Sequence, residues 1–403
     1  MSVPKLRFKE FDGDWANKKI DEIALVTSGG TPSRNISKYW NGHIPWVTTS
    51  LVDFNIINNA EEFITQDGVD NSSAKLFPKN TILMAMYGQG ITRGKVAILG
   101  IDATTNQACA AIKLKDDIDT HFAFQNLMNR YEEIRDLSNE GGQKNLSAGI
   151  IKDISISYPS KPEQTRIASF LSAVDEKISQ LNQKHELLSQ YKQGMMQKLF
   201  SQQIRFKADN GNEFGEWTEK KLGEIFDFFR GEPFSKSNID PESQFECIHY
   251  GELFTKYNEV IDKVYSKTNL KAKNPSNIGD ILMPSSDVTP DGLAKASCLN
   301  RKGVFLGGDI NILRPKYVCS PKFFSYLINF EKSKILLCVT GTTVKHVYNK
   351  DLKKLEYKIP STKEEQTKIA NFLSAIDQKI DVVAQQIEQA KQWKTGLLQQ
   401  MFV

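Results

Sequence analysis

EQTRIASFLSAVDEKI, from Glu163 to Ile178, returns as EEQTKIANFLSAIDQKI, from Glu364 to Ile380. Adding 202 to a residue number in the first copy gives its partner in the second: Gln164 with Gln366, Phe170 with Phe372, Asp175 with Asp377. The register holds without a gap to Phe200 and Phe402, and roughly half of the positions are identical. The same offset relates Trp15, Lys18, Lys19, Ile20, Glu22 and Ile23 to Trp217, Lys220, Lys221, Leu222, Glu224 and Ile225. Between these ends, Gly29 to Tyr158 and Gly231 to Ile359 share little identity. The chain is therefore two units, each with a variable body and a near-constant tail.

The tails read as helices. Ile167, Leu171, Val174, Ile178, Leu181, His185, Leu188, Lys192, Met195 and Leu199 fall at alternating steps of four and three, and Ile369, Leu373, Ile376, Ile380, Val383, Ile387, Ala390, Lys394, Leu397 and Met401 repeat the pattern. An uninterrupted seam of this period over about four to five heptads predicts a long helix packed along its length on another. The first helix leads from body one to body two and the second leaves body two. If they pair, they are antiparallel, and a pseudo-twofold relates the halves. Lys192 and Lys394 interrupt both seams. Either the stripe drifts, so that Tyr191 and Trp393 pack while the lysines snorkel, or the lysines fix the register or face a partner. Asp175-Glu176-Lys177 resembles a nuclease cluster, but its copy is Asp377-Gln378-Lys379, and a solvated helix face is the expectation.

With 403 residues the chain is long enough for two cores. It contains no apolar run of about 20 residues, and MSVPKLRFKEFDGDW lacks the apolar core of a signal peptide, so a soluble protein without a membrane partner is expected. Cys109, Cys247, Cys298, Cys319 and Cys338 are odd in number, scattered and without a CxxC pair, which suits a reducing cytoplasm and suggests neither disulfides nor zinc. The net charge of +4 permits nucleic-acid binding without proving it. The tails are near neutral, at +1 from Glu163 to Phe200 and zero from Glu365 to Phe402, so any basic face lies on the bodies.

Each body reads as α+β. Strands are predicted in IPWVTTSLV (Ile44 to Val52), NTILMAMYG (Asn80 to Gly88), KVAILG and ACAAIKL, and a helix over His121 to Leu137; GDILMPSS, GVFLGG, DINILRP and the helical PKFFSYLINFEKSKILL echo them in body two. The intervening loops mix glycine, aromatic, amide and basic side chains. In body one the residues suited to DNA are Arg34, Lys38, Tyr39, Tyr87, Gln89, Arg93, Lys95, Gln143, Lys144 and Asn145. In body two they are Arg230, Lys236, Tyr250, Ser285, Ser286, Arg301, Lys302, Thr343, Lys345 and His346. The cations suit phosphates or guanine, and the amides suit adenine edges in the major groove. Solvated loops of this composition are also common in proteins that bind no DNA.

Enzyme motifs fail on inspection. GQGITRGKV has Gln89 and Val96 where a phosphate-binding loop needs glycine and Ser/Thr. Asn274-Pro275-Ser276-Asn277 lacks the second proline and the aromatic of an amino-methyltransferase motif. The five histidines are isolated, which favours core or surface roles over metal or base roles.

Two variable bodies, each followed by a proline and, four or five residues on, by E-Q-x-x-I-A-x-F-L-S-x-x-D-x-K-I, resemble the specificity subunit of type I restriction-modification systems. The resemblance covers the whole chain. It includes the paired openings at Trp15 and Trp217 and the exits KNLSAGIIKDISISYP and VKHVYNKDLKKLEYKIP. It implies an α+β chain of two pseudo-symmetric α/β target recognition domains separated by two long antiparallel coiled-coil helices, with segments 1–160, 161–202, 203–360 and 361–403. It also implies that each domain reads half of a bipartite, asymmetric double-stranded DNA target. The helices would set the gap and hold two methyltransferase subunits, to which restriction-translocase subunits can be added. Catalysis, with S-adenosylmethionine, ATP and Mg, would reside on those bacterial or archaeal partners, leaving this chain without catalytic residues or cofactors of its own. Two other readings stand beside it: a coiled-coil adaptor with protein- or glycan-binding domains, and an enzyme with an unfamiliar site.

Overall fold

A computed structural model describes residues 3–88, 91–137 and 145–403. The chain divides into two compact units, one formed by Met1–Gln183 with Gln385–Val403 and the other by Lys184–Ala384. Each unit thus contains a body and parts of both long helices, α1 (Lys161–Phe200) and α2 (Lys363–Met401).

The copied openings and exits are strand partners. Ala16–Lys19 pairs antiparallel with Ser155–Tyr158, and Thr218–Lys221 pairs in the same way with Glu356–Ile359. Each opening strand leads into one helical turn, Ile20–Ile23 or Leu222–Ile225, at which the Glu22 or Glu224 carboxylate accepts the Lys19 or Lys221 backbone N–H. The buried Ile20, Ile23, Leu222 and Ile225 explain why this stretch was kept twice.

The bodies share one topology in spite of their divergence. Body one has a five-stranded sheet in the order Ala24–Ser28, Cys109–Leu114, Ile82–Ala85, Val96–Leu99, Ile56–Ile57; body two has Phe226–Arg230, Ile310–Pro315, Asp280–Pro284, Ser297–Leu299, Val260–Ile261. A three-stranded sheet completes each, centred on Trp40–Val47 or Phe245–Ile248. The central strand Ile82–Ala85 is buried on both faces: Ile82 and Met84 face a core with Phe122 and Leu171, and Leu83 and Ala85 face another with Val47 and Val52. Such a strand reads as continuously apolar. Ile281 and Met283 against Leu282 repeat the arrangement. Gly29 and Gly231 occupy equivalent crossings, where an added Cβ would lie 2.0 Å from the Thr105 carbonyl oxygen or 1.8 Å from that of Gly307.

The predicted strands are present in shortened form except the one expected over Ile44–Val52, which is displaced to Trp40–Val47 because Thr49–Leu51 turns as a 3-10 helix. The predicted helices each break once, into Thr120–Asn129 and Tyr131–Asp136, and into Pro321–Phe330 and Lys332–Leu336.

The long helices pack antiparallel. In the first unit Ile167, Leu171 and Val174 join Leu397, Leu398 and Met401 in one core; in the second, Met196 and Leu199 join Ile369, Leu373 and Ile376. Of the seam residues, Ile167, Leu171, Val174, Leu181, Ile369, Leu373, Ile376 and Val383 are buried, and Ile178, Leu188, Ile380 and Ile387 are half-buried. Full burial of one such side chain contributes roughly 1.5–3 kcal/mol.

Two expectations for the helices need correction. Tyr191 and Trp393 do not take over the seam, being 50% and 55% exposed. Instead Lys192 pairs with Asp377 at 2.7 Å and Lys394 with Asp175 at 2.6 Å. The aspartates are therefore not on a solvated face. Asp175 also accepts from the Gln125 amide, and Asp377 from the Tyr326 hydroxyl, so each carboxylate ties both helices to a body helix.

The Glu-Gln at the head of each helix has a structural task. Glu163 and Glu365 are almost wholly buried, and each receives a two-pronged ion pair, from Arg7 at 2.7 Å and from Arg205 at 2.9 Å. Gln164 accepts from the Asp119 N–H and donates to the Asp117 and Pro159 carbonyls. Gln366 accepts from the Ser320 N–H and donates to the Pro360 carbonyl. A buried carboxylate is tolerated only with such partners.

Candidate nucleic-acid interface

In body one, Trp40–Val47 and Glu62–Ile64 present Arg34. Its guanidinium lies 3.7 Å from the centre of the Trp40 ring and forms a two-pronged pair with Glu62. That hydrogen bond raises the Arg34 pKa and lowers the Glu62 pKa. These residues line a cavity of about 330 Å³ with Asn41 and Phe63. Lys38 pairs with Asp67 at 3.4 Å, and Lys95 with Asp53 at 2.6 Å. Tyr87 is 42% exposed and Asn145 is half-buried. Gln89, Gln143 and Lys144 lie outside the described residues.

The structure corrects two expectations. Tyr39 is 8% exposed and packs in the interior, while Arg93 is 9% exposed and donates Nε–H to the Arg135 carbonyl. Ser285 is also buried, at the end of the central strand Asp280–Pro284, but it lines a cavity and so keeps its place among the candidates. Loop composition does not distinguish a residue that caps the core from one that faces solvent.

In body two, Ser286–Asp287 pairs with Lys345–His346, placing Ser286 opposite His346 and joining the PSSDVTP and TGTTVKH loops. Arg230 approaches the same place: it lines a cavity of about 190 Å³ with Ser285, Asn311, His346 and Asn349. Its Nε–H donates to the Gly308 carbonyl at 2.8 Å and its Nη2 to Asp309 at 3.2 Å. His346 stacks on Tyr348, the ring centres 5.9 Å apart. Lys345 donates to the Gly341 carbonyl, and Thr343 is exposed. Arg301 pairs instead with Glu246, at 2.8 Å. Tyr250 is half-buried against His249, whose pKa burial lowers; Lys236 and Lys302 are exposed.

Sequence reading missed the partners more than the cations. Arg34, Lys38, Lys95, Arg230 and Arg301 all face a carboxylate. These pairs hold long side chains in place and keep their positive field local, a device invisible without tertiary contacts. Asn311 and Asn349 also went unnoticed, since isolated amides carry no sequence signal. Among the described residues no group of three or more His, Cys, Asp or Glu is placed to hold a metal, and no helix is long and apolar enough to cross a membrane.

The model of the type I restriction modification DNA specificity domain matches residues 12–190 and again 215–392. The chain belongs to that family. Its two matches fall on the two bodies with their helices, so the DNA specificity domain of that family is present twice. It is 31% identical over 239 residues to the type I restriction enzyme MjaIX specificity subunit of Methanocaldococcus jannaschii, covering 54% of each chain. To the EcoR124I/EcoR124II specificity subunit of Escherichia coli it is 29% identical, over 42% of this chain and 43% of the other. The alignments thus span about half the length of these two relatives. Against the M. jannaschii MjaVIII specificity subunit the match is 23% identical and covers 97% of this chain and 94% of the other. The chain shares its fold with the crystal structure of the S subunit from M. genitalium, at TM-score 0.66, 18% identity and 100% and 99% coverage. A structure described as showing complex assembly and conformational transition of the type I restriction-modification system superposes at TM-score 0.57, with 17% identity and 98% of each chain covered.

Proposed function

We propose that each body, within 1–160 and 203–360, is a target recognition domain that reads one half of a bipartite, asymmetric duplex, while the helices of 161–202 and 361–403 set the gap and dock two methyltransferase subunits. The reading is carried by one contrast. The bodies keep a single sheet order while their loop side chains diverge, whereas the helices keep their sequence and their Lys–Asp pairs. Divergence on a fixed frame suits two different half-sites, and identity on the helices suits two copies of one partner. Chemistry belongs to the partners in this reading. S-adenosylmethionine would act on the methyltransferase, and ATP and Mg on restriction-translocase subunits where these join, in the cytoplasm of the host cell. This chain supplies positioning and no catalytic group.

The test is binding by the full chain co-purified with its methyltransferase partner. One bipartite duplex is expected to bind about a thousandfold or more above scrambled DNA, with affinity falling steeply as salt rises. Equal binding to all duplexes at every salt concentration sinks the reading and returns the adaptor to first place.

A further inference from the structure

We propose that the polar cavity of body two reads one G·C pair of its half-site in the major groove, with Arg230 donating to guanine O6 and N7 and Asn349 Oδ1 accepting from the cytosine N4 amino group. This rests on the reading of the body as a DNA-recognition domain and adds to it a base pair and two named contacts.

The polar lining of this cavity has no counterpart among the described residues of body one. By strand register, Arg230 opposite Asn311 corresponds to Ser28 opposite Ala110 in body one. The Ser285 N–H donates to the Asp309 carbonyl, as the Met86 N–H does to that of Ala108. The Val347 N–H donates to the Ser285 carbonyl, as the Leu146 N–H does to that of Met86. Counting onward, Asn349 corresponds to Ala148. At the described equivalent positions body one has small residues and the buried Met86, whereas body two lines a space of about 190 Å³ with an arginine, two amides and a hydroxyl. A feature that differs between two bodies of one topology is where different half-sites are to be sought.

The unassigned hydrogen-bonding groups specify the ligand. Among the described residues Ser285 Oγ and Asn349 Oδ1 are buried without a partner, a costly state unless something fills it. The Asn349 amide orientation is settled because its Nδ2 donates to the Phe229 carbonyl at 3.0 Å, so Oδ1 is left to accept. Arg230 is braced by Gly308 and Asp309 through Nε and Nη2, which leaves Nη1 without a partner among the described residues and one Nη2 hydrogen to spare. The site thus offers a guanidinium fork and one fixed acceptor. In the major groove, adjacent acceptors for the fork occur at guanine O6 and N7, and the amino donor of the same pair is cytosine N4. An A·T pair separates its two acceptors by the adenine amino group and fits the fork less well.

The experiment is competition binding by the full chain co-purified with its methyltransferase partner, using its bipartite duplex with each body-two position changed in turn. Wild type is expected to prefer G·C at one such position by about tenfold or more, and Arg230→Gln and Asn349→Ala to lose most of that preference while body-one positions keep theirs. Asn349→Asp, which retains an acceptor, is expected to keep more of the preference than Asn349→Ala. A wild type without sequence preference overturns the functional reading itself. A specific wild type whose body-two half-site has no G·C requirement, or whose requirement survives both Arg230→Gln and Asn349→Ala, overturns this proposal alone. Should Arg230→Gln fail to fold by thermal melting, the two Asn349 variants decide: a difference between them supports the assignment and equal preference overturns it.

Discussion

Lys192 on α1 lies 2.7 Å from Asp377 on α2 and 2.9 Å from Glu259 of body two, with only 15% of its side chain exposed. Burial works against its charge, yet the two carboxylates together hold the lysine pKa above its usual range. The sequence-equivalent pair, Lys394 and Asp175, is more open, with Asp175 39% exposed and, among the described residues, no second carboxylate on the lysine.

That asymmetry predicts unequal costs. Lys192→Met strands two largely buried carboxylates and should destabilise the protein by about 3–5 kcal/mol, whereas Lys394→Met, at a more solvated pair, should cost about 1 kcal/mol. Urea unfolding of both variants checks the ratio. Equal losses would show that the Glu259 contact adds nothing.

The same cluster predicts a pH dependence. Burial raises the Asp377 pKa above its unfolded value, against the opposing pull of Lys192 and Tyr326. A raised folded-state pKa means that this group's stabilising contribution is complete below the unfolded value and is lost as pH rises through the folded one. Lys192, also raised, contributes until pH passes its elevated value at the alkaline end. The stability difference between wild type and Asp377→Asn should therefore shrink as pH rises from below the ordinary aspartate range toward neutrality. Melting temperatures of the two proteins across that window test it, and a difference that grows with pH contradicts it.

Arg205 and Glu365 form the staple at the head of α2, and Glu365 is 0% exposed. Arg205→Ala leaves that carboxylate with the Trp217 indole N–H as its remaining side-chain partner and should cost about 3 kcal/mol or more. Arg205→Ala combined with Glu365→Gln should recover part of the loss by removing the unpaired charge. A double variant no more stable than the single one would assign the loss to packing of the arginine stem.

Adding one heptad to each long helix, after Gln183 and after Gln385, keeps the seam and should lengthen the tolerated gap between half-sites by about three base pairs, from 1.5 Å per residue against 3.4 Å per base pair. Four residues inserted at Gln183 alone displace Lys192 from Asp377 and should abolish specific binding or shift the gap. Methylation mapping across the host genome reads both outcomes. A change in half-site sequence would contradict the division of labour between bodies and helices.

The duplicated tails were legible in advance because a helix seam repeats at fixed spacing and two copies expose it twice. Legibility failed where a residue's role depends on what lies opposite. Lys192 and Lys394 admitted two readings until Asp377 and Asp175 were found across from them. Asp175 reads as a solvated helix residue because nothing in its spacing shows that Lys394 lies opposite. Tyr39, Arg93 and Ser285 looked like surface loop residues because a loop has no period from which burial can be inferred. Asn349 drew no notice, since only its unpartnered Oδ1 beside Arg230 gives it meaning.

The sequence alone determined the duplication, the two antiparallel helices, the mixed α+β character of the bodies and the family, since all of these rest on local periodicity or on motif copies in register. Only the tertiary structure decided that the diverged bodies share one sheet order, that Glu163 and Glu365 are buried staples, that the lysines lock the helices and that Arg230, Ser285 and Asn349 meet at one cavity. Strand order and ion-pair partnership are set by contacts between residues far apart in the chain. Many side-chain combinations satisfy such contacts equally well, so they leave no fixed spacing to read.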